Sequence, residues 1–404
     1  MFLLNLYKSS LLALLLSSTD GSPVTRDVTK DNVEAAYDTL QQWYNTSIGI
    51  WYPSTNWWNS ANCLTVISNL ASVDTSVKSE ITGVIANTYT QAQEWNSQTV
   101  KIIGVENDPY LMQTYYVNRW PQLPSSFIQP KMQANSGFLN DYYDDEGWWA
   151  LAWIAAYDLT HISTYLTQAQ TIFADMNAVF GKTNCSTNSG GTGGIWWDKP
   201  HTYVNAIPNE LFLAVAASLA NRVSSSDNPY LSIAKQQWSW FQGSGMIGSG
   251  YTINDGLNQQ TCENNGGTVW TYNQGVILGA LVELSKASGD TSLVDTAHKI
   301  AEAAISALAP GGILTEPCEL NAGSCGADGG QFKGVFTRNL WILHKASPRD
   351  AYKTFLKNNA DSIWKNDRNE KKELSLKWAG PFVTPANAST QSSALDTLVA
   401  AVAL

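Results

Sequence analysis

The sequence predicts an all-α fold, an (α/α)6 barrel with six inner helices, six outer helices and one long irregular loop. Two kinds of helical segment alternate along the chain. One kind is amphipathic and charged: Asp31 to Tyr44, Ser76 to Trp95, His161 to Phe180, Pro229 to Phe241, Thr291 to Leu308 and Asp350 to Trp364. The other kind is rich in Ala, Leu and Trp and carries few charges. Its members begin near Trp58, Asp144, Val204, Trp270, Gly330 and Ser389, each after a polar loop rich in Gly or Asn. A helix that is apolar all round is covered on both sides, whereas one with charges such as Lys299, Glu302 or Asp350 keeps a face in water. The last five apolar starts recur roughly every 60 residues, a weak internal repeat of helix pairs. Such pairs closed into a ring make a toroid.

Taken in order, Met1 to about Ser22 reads as a secretory signal: Lys8 precedes the apolar Leu11 to Leu16, and Ser17, Ser18, Gly21 and Ser22 follow. An ordinary apolar N-terminal segment is the competing reading. The stretch Thr99 to Leu139 breaks the repeat. It holds Pro109, Pro121, Pro124 and Pro130 with Tyr115, Tyr116 and Trp120, and is expected to be an extended loop, either a cleft wall or a packing insertion. Asn184 to Gly194 is Gly/Ser-rich, but the repeat runs through it, so it is a surface loop rather than a linker. Ser393 to Leu404 lacks the polar spacer of a lipid-anchor signal and fits the inner-helix pattern. Residues 23–404 are therefore expected to form a single domain.

Composition narrows the partners. The chain has 404 residues, 44% of them apolar and only 14% charged, with 17 Trp and a net charge of −10. That excess of acid disfavours nucleic acid and anionic membranes, and weakly disfavours a polyanionic substrate. A neutral polymer such as a glycan fits, and a monomer is expected. No run reaches the length of a membrane span. His161, His201, His298 and His344 form no HExxH or i, i+4 pair, so no metal or cofactor is expected. There is no GxSxG elbow, P-loop or EF-hand spacing, and GADGG at Gly326 to Gly330 reads as a turn. Of five cysteines, Cys318 and Cys325 bracket a short Gly-containing loop and are the first choice for a disulfide. Cys185 with Cys262 is the second, and Cys63, in an apolar helical segment, is expected to be a buried free thiol. Sequons at Asn45, Asn184 and Asn387 are candidate glycosylation sites, in keeping with export.

The chemistry concentrates in NDYYDDEGWWALAWIAAY, Asn140 to Tyr157, where Asp141, Asp144, Asp145 and Glu146 stand before an uncharged, Trp-rich helix. Acids at a helix N-terminus cap free N–H groups and complement the dipole, but one would suffice. Two adjacent carboxylates repel, and a Trp three or four residues on, Trp148 or Trp149, would cover them and drive their pKa values apart. A catalytic pair and a capping cluster are evenly matched on these grounds. Neighbouring carboxyls fall within roughly 5–6 Å, which suits a retaining glycosidase better than the 6.5–9.5 Å of an inverting one.

Inner helices that all point one way bring their N-terminal loops to one end. Those loops are rich in Trp, Tyr, Asn, Asp, Gln and Gly, which suits a carbohydrate cleft. Candidates there are Asn59, Asn205, Asn209, Tyr272, Asn273, Gln274 and Gln331. Each either contacts sugar hydroxyls or satisfies backbone at a helix end. Trp58 and Trp270, with Trp148, are stacking platforms or core. Asp255, in TINDGLN, is a site acid or a turn residue.

The motif YYDDEGWWALAWIAAYDLT resembles the signature of glycoside hydrolase family 76, the endo-α-1,6-mannanases. WWNSANCLTVISNL, GGIWWD, NAIPNELFLAVAA, CENNGGTVWTYNQGVILGALVEL and EPCELNAGSCGADGGQFKGVFTRNL resemble that family's other blocks in the same order. The resemblance implies the same (α/α)6 fold, with Asp144 as nucleophile, Asp145 as acid/base and α-1,6-mannan or its fragments as substrate. It also covers fungal cell-wall proteins thought to transfer lipid-anchored glycoproteins onto glucan. Those generally carry a C-terminal anchor signal, not evident here, so a secreted hydrolase is the expectation. A non-catalytic glycan-binding protein is the third reading, which the intact aspartate pair opposes.

Overall fold

The computed structural model describes residues 27–94, 99–103, 112–116, 137–187, 190–224, 228–321 and 325–404. The inner helices are α2 (Trp57–Val73), α4 (Tyr143–Thr160), α6 (Ala206–Arg222), α8 (Thr271–Ser288), α11 (Phe332–Ala346) and α13 (Ala388–Val402). The outer ones are α1 (Lys30–Gln41), α3 (Lys78–Gln91), α5 (Ser163–Asn177), α7 (Tyr230–Gly243), α9 (Ser292–Leu308) and α12 (Asp350–Asn366). A short α10 (Pro317–Asn321) precedes α11. Each inner helix packs on the next and α13 closes on α2, so the ring is complete. The sequence periodicity and the structure agree because α6 and α13 bury nearly every residue, as a helix covered on both sides must. Gly275 permits a tight crossing of α8 over α11: a Cβ there would lie 2.6 Å from Phe336 Cα.

One device recurs around the ring. The fourth residue of five inner helices turns back to accept a hydrogen bond from the backbone of the loop that leads into that helix. Ser60 Oγ accepts from Trp51 N (3.3 Å), Glu146 Oε1 from Asn140 N (3.0 Å) and Asn209 Oδ1 from Ile195 N (2.8 Å). Gln274 Oε1 accepts from Ile253 N (2.8 Å) and Gln391 Oε1 from Leu374 N (2.7 Å). These acceptors satisfy buried backbone donors and pin the loops at one end of the barrel.

Thr99 to Leu139 is not simply a loop. Thr99–Ile103 (β1) pairs antiparallel with Met112–Tyr116 (β2), with Lys101 opposite Thr114. Each strand is only five residues long, too short for its alternation to stand out in the sequence, and the pair was missed. Pro109, Trp120, Pro121, Pro124 and Pro130 lie outside the described residues, as do residues 1–22 of the expected signal.

Both expected disulfides are present, Cys185–Cys262 and Cys318–Cys325. Cys63 is free and buried, and burial pushes its thiol up to about 12. The Gly-rich 184–194 stretch is held to the barrel by the first disulfide and by Trp240, whose Nε1 donates to Cys185 O (2.9 Å). Asn184 is exposed and Asn45 half-buried, while Asn387 caps α13 by accepting from Thr390 N (3.0 Å). Among the described residues no helix is long and apolar enough to cross a membrane, and no cluster of His, Cys, Asp or Glu could hold a metal ion.

Several carboxyls are buried in this fold. Burial raises Glu316 to about 8 and Asp367 to about 7, against the hydrogen bonds they accept. A folded-state pKa above the unfolded value means the folded chain holds extra protons in that window, so stability falls as pH rises through it. Thermal unfolding should therefore occur several degrees higher at pH 5 than at pH 8. A melting temperature that is flat or rising over that interval would contradict the assignment.

Candidate active site

The start of α4 is built by its neighbours. Tyr142 bridges to Asp198 in the loop before α6, and Tyr143 N donates to Trp197 O (2.9 Å). Asn140 then serves both ends of the turn: its Oδ1 accepts from Tyr142 N (2.9 Å) and its Nδ2 donates to Asp145 Oδ2 (2.6 Å). This fixes the Asp145 rotamer beside Asp144, at the second and third positions of the helix.

Lys101, from β1, completes the cluster. Its Nζ donates to both Asp144 oxygens (3.0 and 2.9 Å) and to Asp145 Oδ1 (2.5 Å). It also faces the Tyr142 ring at 4.7 Å and the Trp197 ring at 5.7 Å, while Lys101 N donates to the Tyr142 hydroxyl (3.0 Å). Two carboxylate oxygens lying 2.9 and 2.5 Å from one nitrogen are at most about 5.4 Å apart. Asp144 is 2% and Asp145 0% exposed. Burial raises Asp145 to about 7, with Lys101 opposing and Asp144 adding to the rise. Burial alone would lower Lys101, but the charges of Asp144, Asp145 and Asp328 outweigh it and hold the ammonium protonated.

This cover differs from the expected one. Trp149 packs away from the pair, against Trp57, Phe138 and Trp153. Trp148 stacks on Trp58 at 5.7 Å. Among the described residues the groups over the acids are Lys101, Tyr142 and Trp197, and both carboxyls are buried beneath them.

The remaining candidates divide into two groups. Asn209 and Gln274 are spent on backbone. Asn209 Nδ2 donates to Ile195 O (3.0 Å) and Asn205 O (2.8 Å), and Gln274 Nε2 donates to Ile253 O (2.8 Å) and Trp270 O (3.0 Å). Asn209 Oδ1 also accepts from Gln237 Nε2 (3.0 Å), which fills that amide, and both Gln274 amide hydrogens go to backbone, so the helix-end reading fits both. By contrast, Asn59 and Asn273 are buried with both amide atoms unpartnered, as are Asn205 Oδ1 and Gln331 Nε2. Native folds leave few such groups without partners, so these four retain hydrogen-bonding capacity for water or ligand. Asp255 accepts from the Tyr203 hydroxyl (2.7 Å) while its backbone oxygen accepts from Ala206 N (2.8 Å), which ties it to the start of α6.

Trp58, Trp148, Trp270 and Tyr272 converge, but on one another. Phe332 is their hub, with Tyr272 stacked on it at 3.9 Å and Trp270 edge-on at 5.7 Å. Trp58 Nε1 donates to Asp328 Oδ1 (2.7 Å). All four rings are buried, so core packing describes them better than open stacking platforms. Asp328 sits in the turn the GADGG motif predicts, yet also serves this site. Sequence reasoning missed Asn140, Lys101, Asp328 and Phe332. Asn140 lies within the motif itself and could have been found, but nothing in the sequence pairs Lys101 with residues 43 and 44 positions on.

Comparison with known proteins agrees with this architecture. The chain is 23% identical over 381 residues to the mannan endo-1,6-α-mannosidase DFG5 of Candida albicans, an alignment covering 89% of this chain and 75% of that protein. An inactive variant of an α-1,6-mannanase from Salegentibacter sp. HEL1_6, with two adjacent aspartates replaced by asparagine and α-1,6-mannotriose bound, superposes with a TM-score of 0.71. Its identity is 19%, over 92% of this chain and 98% of that one. Dfg5 from Chaetomium thermophilum, in complex with glucosamine, gives 0.70 at 18% identity, over 94% and 92% of the two chains. These neighbours share the helical double ring. Residues 25–404 match the model of glycosyl hydrolase family 76, and the chain, which carries that family's fold around a shielded aspartate pair, belongs to it and is a glycoside hydrolase.

Proposed function

We propose that this glycoside hydrolase is a secreted, retaining endo-enzyme that cleaves α-1,6-mannosidic linkages in mannan, with Asp144 as nucleophile and Asp145 as acid/base. The observation that carries it is the separation of the pair. Oxygens at most about 5.4 Å apart suit direct attack on the sugar and leave no room for the water an inverting enzyme holds between its carboxyls. Asp144 attacks the anomeric carbon while Asp145, protonated, gives its proton to the departing glycosidic oxygen. Asp145 then takes a proton from water, which opens the sugar ester and regenerates Asp144. The relatives' mannanase names support the substrate. Two disulfides support an oxidising compartment, and the sequons at Asn45, Asn184 and Asn387 fit the same route. The test is to incubate the protein with linear α-1,6-mannan, size the products, and read the first-formed anomer by NMR. A β-anomer refutes retention, and intact polymer refutes the substrate.

Lys101 Nζ holds both Asp144 oxygens (3.0 and 2.9 Å), so a sugar that takes up this carboxylate displaces the ammonium. Lys101→Met is expected to lower KM by roughly tenfold, the equivalent of about 1.4 kcal/mol. A higher KM with lower kcat would instead make the lysine part of the bound-state machinery. The second reading, transglycosylation, draws on the same burial: a site that excludes water favours resolution of the ester by a sugar hydroxyl. Product analysis with an acceptor sugar present separates it from hydrolysis.

A further inference from the structure

The inner helices carry one stripe of side chains toward the barrel axis. At the C-terminal ends of five of them this stripe lines an axial cavity of 280 Å³, to which α6 contributes Ala214, Ser218 and Arg222 and α4 contributes Leu151, Ala155 and Asp158. Residues four apart share a face. Glu210 stands four before Ala214 and so faces the axis, as Asp144 does seven before Leu151.

Their heights can be compared. Arg222 pairs with Asp158 (2.7 Å) and with Glu283 on α8 (2.9 Å), which sets one level across three helices. Asp144 is fourteen residues before Asp158 and Glu210 is twelve before Arg222. At about 1.5 Å per residue the two acids stand roughly 21 and 18 Å above that level, well within one turn of each other.

Glu210 is 0% exposed, and neither carboxyl oxygen has a hydrogen-bond partner. Burial, reinforced by Asp255, holds the group well above the usual carboxylate range. In its protonated form, which burial favours, it has one donor and free acceptor capacity. Unpartnered polar atoms also lie at the starts of inner helices in Asn205 Oδ1, in the cap just before α6, and in the amides of Asn273 on α8 and Asn59 on α2. The Tyr272 phenol is raised by burial and then by the charges of Asp255, Asp144 and Glu210, which puts these acids within electrostatic reach of one ring. Buried carboxyls are as a rule hydrogen-bonded, so one without a partner keeps capacity for a ligand.

We propose that Glu210 contacts the sugar unit held against Asp144, donating its O–H to one ring hydroxyl and accepting from the neighbouring one. The inference rests on the glycosidase reading and adds a substrate-contacting residue to it. The test uses Glu210→Leu and Glu210→Gln, with turnover of linear α-1,6-mannan, calorimetric binding of α-1,6-mannotriose in an Asp144→Asn background, and thermal unfolding. Glu210→Leu should weaken binding and kcat/KM by about 30- to 100-fold while the melting temperature holds or rises. An orphan buried carboxyl contributes nothing to the fold, and an apolar group of similar size removes its desolvation cost. Glu210→Gln, which keeps a donor and an acceptor, should restore most of the loss. Binding within threefold of the parent in Glu210→Leu overturns the contact, as does a fall in melting temperature with binding intact. If Glu210→Leu fails to fold, Glu210→Ala takes its place under the same criteria. A parent protein that neither binds nor cleaves the sugars overturns both the glycosidase reading and this contact, whereas a parent that does both isolates the question to Glu210.

Discussion

Asp144→Asn should lower turnover of linear α-1,6-mannan by at least about 10⁴-fold, because the proposed reaction needs an ionised carboxylate at this position to form the sugar ester and an amide cannot supply it. The substitution keeps the shape and hydrogen-bonding size of the side chain. It also leaves Asp145, with its Asn140 contact, to hold the end of α4. The variant should therefore melt near the wild-type temperature while still binding mannotriose. Initial rates with each protein at saturating mannan are sufficient. Activity within tenfold of wild type would remove Asp144 from the nucleophile's role. Binding lost together with activity would point to disruption of the site rather than loss of attack.

Asp145→Asn carries the second large effect, and its size should depend on the leaving group. With mannan the departing alkoxide needs a proton, and loss of the acid should cost about 10³- to 10⁴-fold. With a dinitrophenyl mannobioside the leaving phenolate needs none, so the burst of its release should survive while the later ester hydrolysis, which lacks its base, becomes slow. The pH profile gives an independent reading. Burial raises Asp145 to about 7, and the acid works in its protonated form. Wild-type kcat/KM on mannan should therefore fall as pH rises through about 7, and the variant should lose that limb. Equal losses on both substrates, or an alkaline limb that persists in the variant, would exclude the acid/base role.

The helical ring was legible because burial leaves a pattern that needs no partner to be recognised. A segment such as α6, apolar on every side, announces that it is covered on every side. The alternation with charged helices such as α9 and α12 supplies the rest of the double ring. The aspartate pair was legible for a similar local reason, since adjacency alone sets the reach of two carboxyls. The amides were not. Asn209 and Asn273 stand at entrances that look alike in sequence. One is consumed by Ile195 and Asn205, while the other keeps both its atoms unpartnered.

By itself, then, the sequence determined the alternation of helices and the placement of Asp144 beside Asp145, and it favoured the seven-residue Cys318–Cys325 disulfide, all consequences of composition and short spacing. Tertiary structure alone decided what covers the pair and which polar groups remain free. Lys101 meets acids more than forty residues away only because β1 brings it to the start of α4, and a contact between distant segments leaves no periodicity in either of them. Glu210 reads in sequence as one more charge on a helix. Its burial without a partner follows from the closing of six helices around an axis, where the same closeness that excludes water also fixes which hydrogen bonds go unmade.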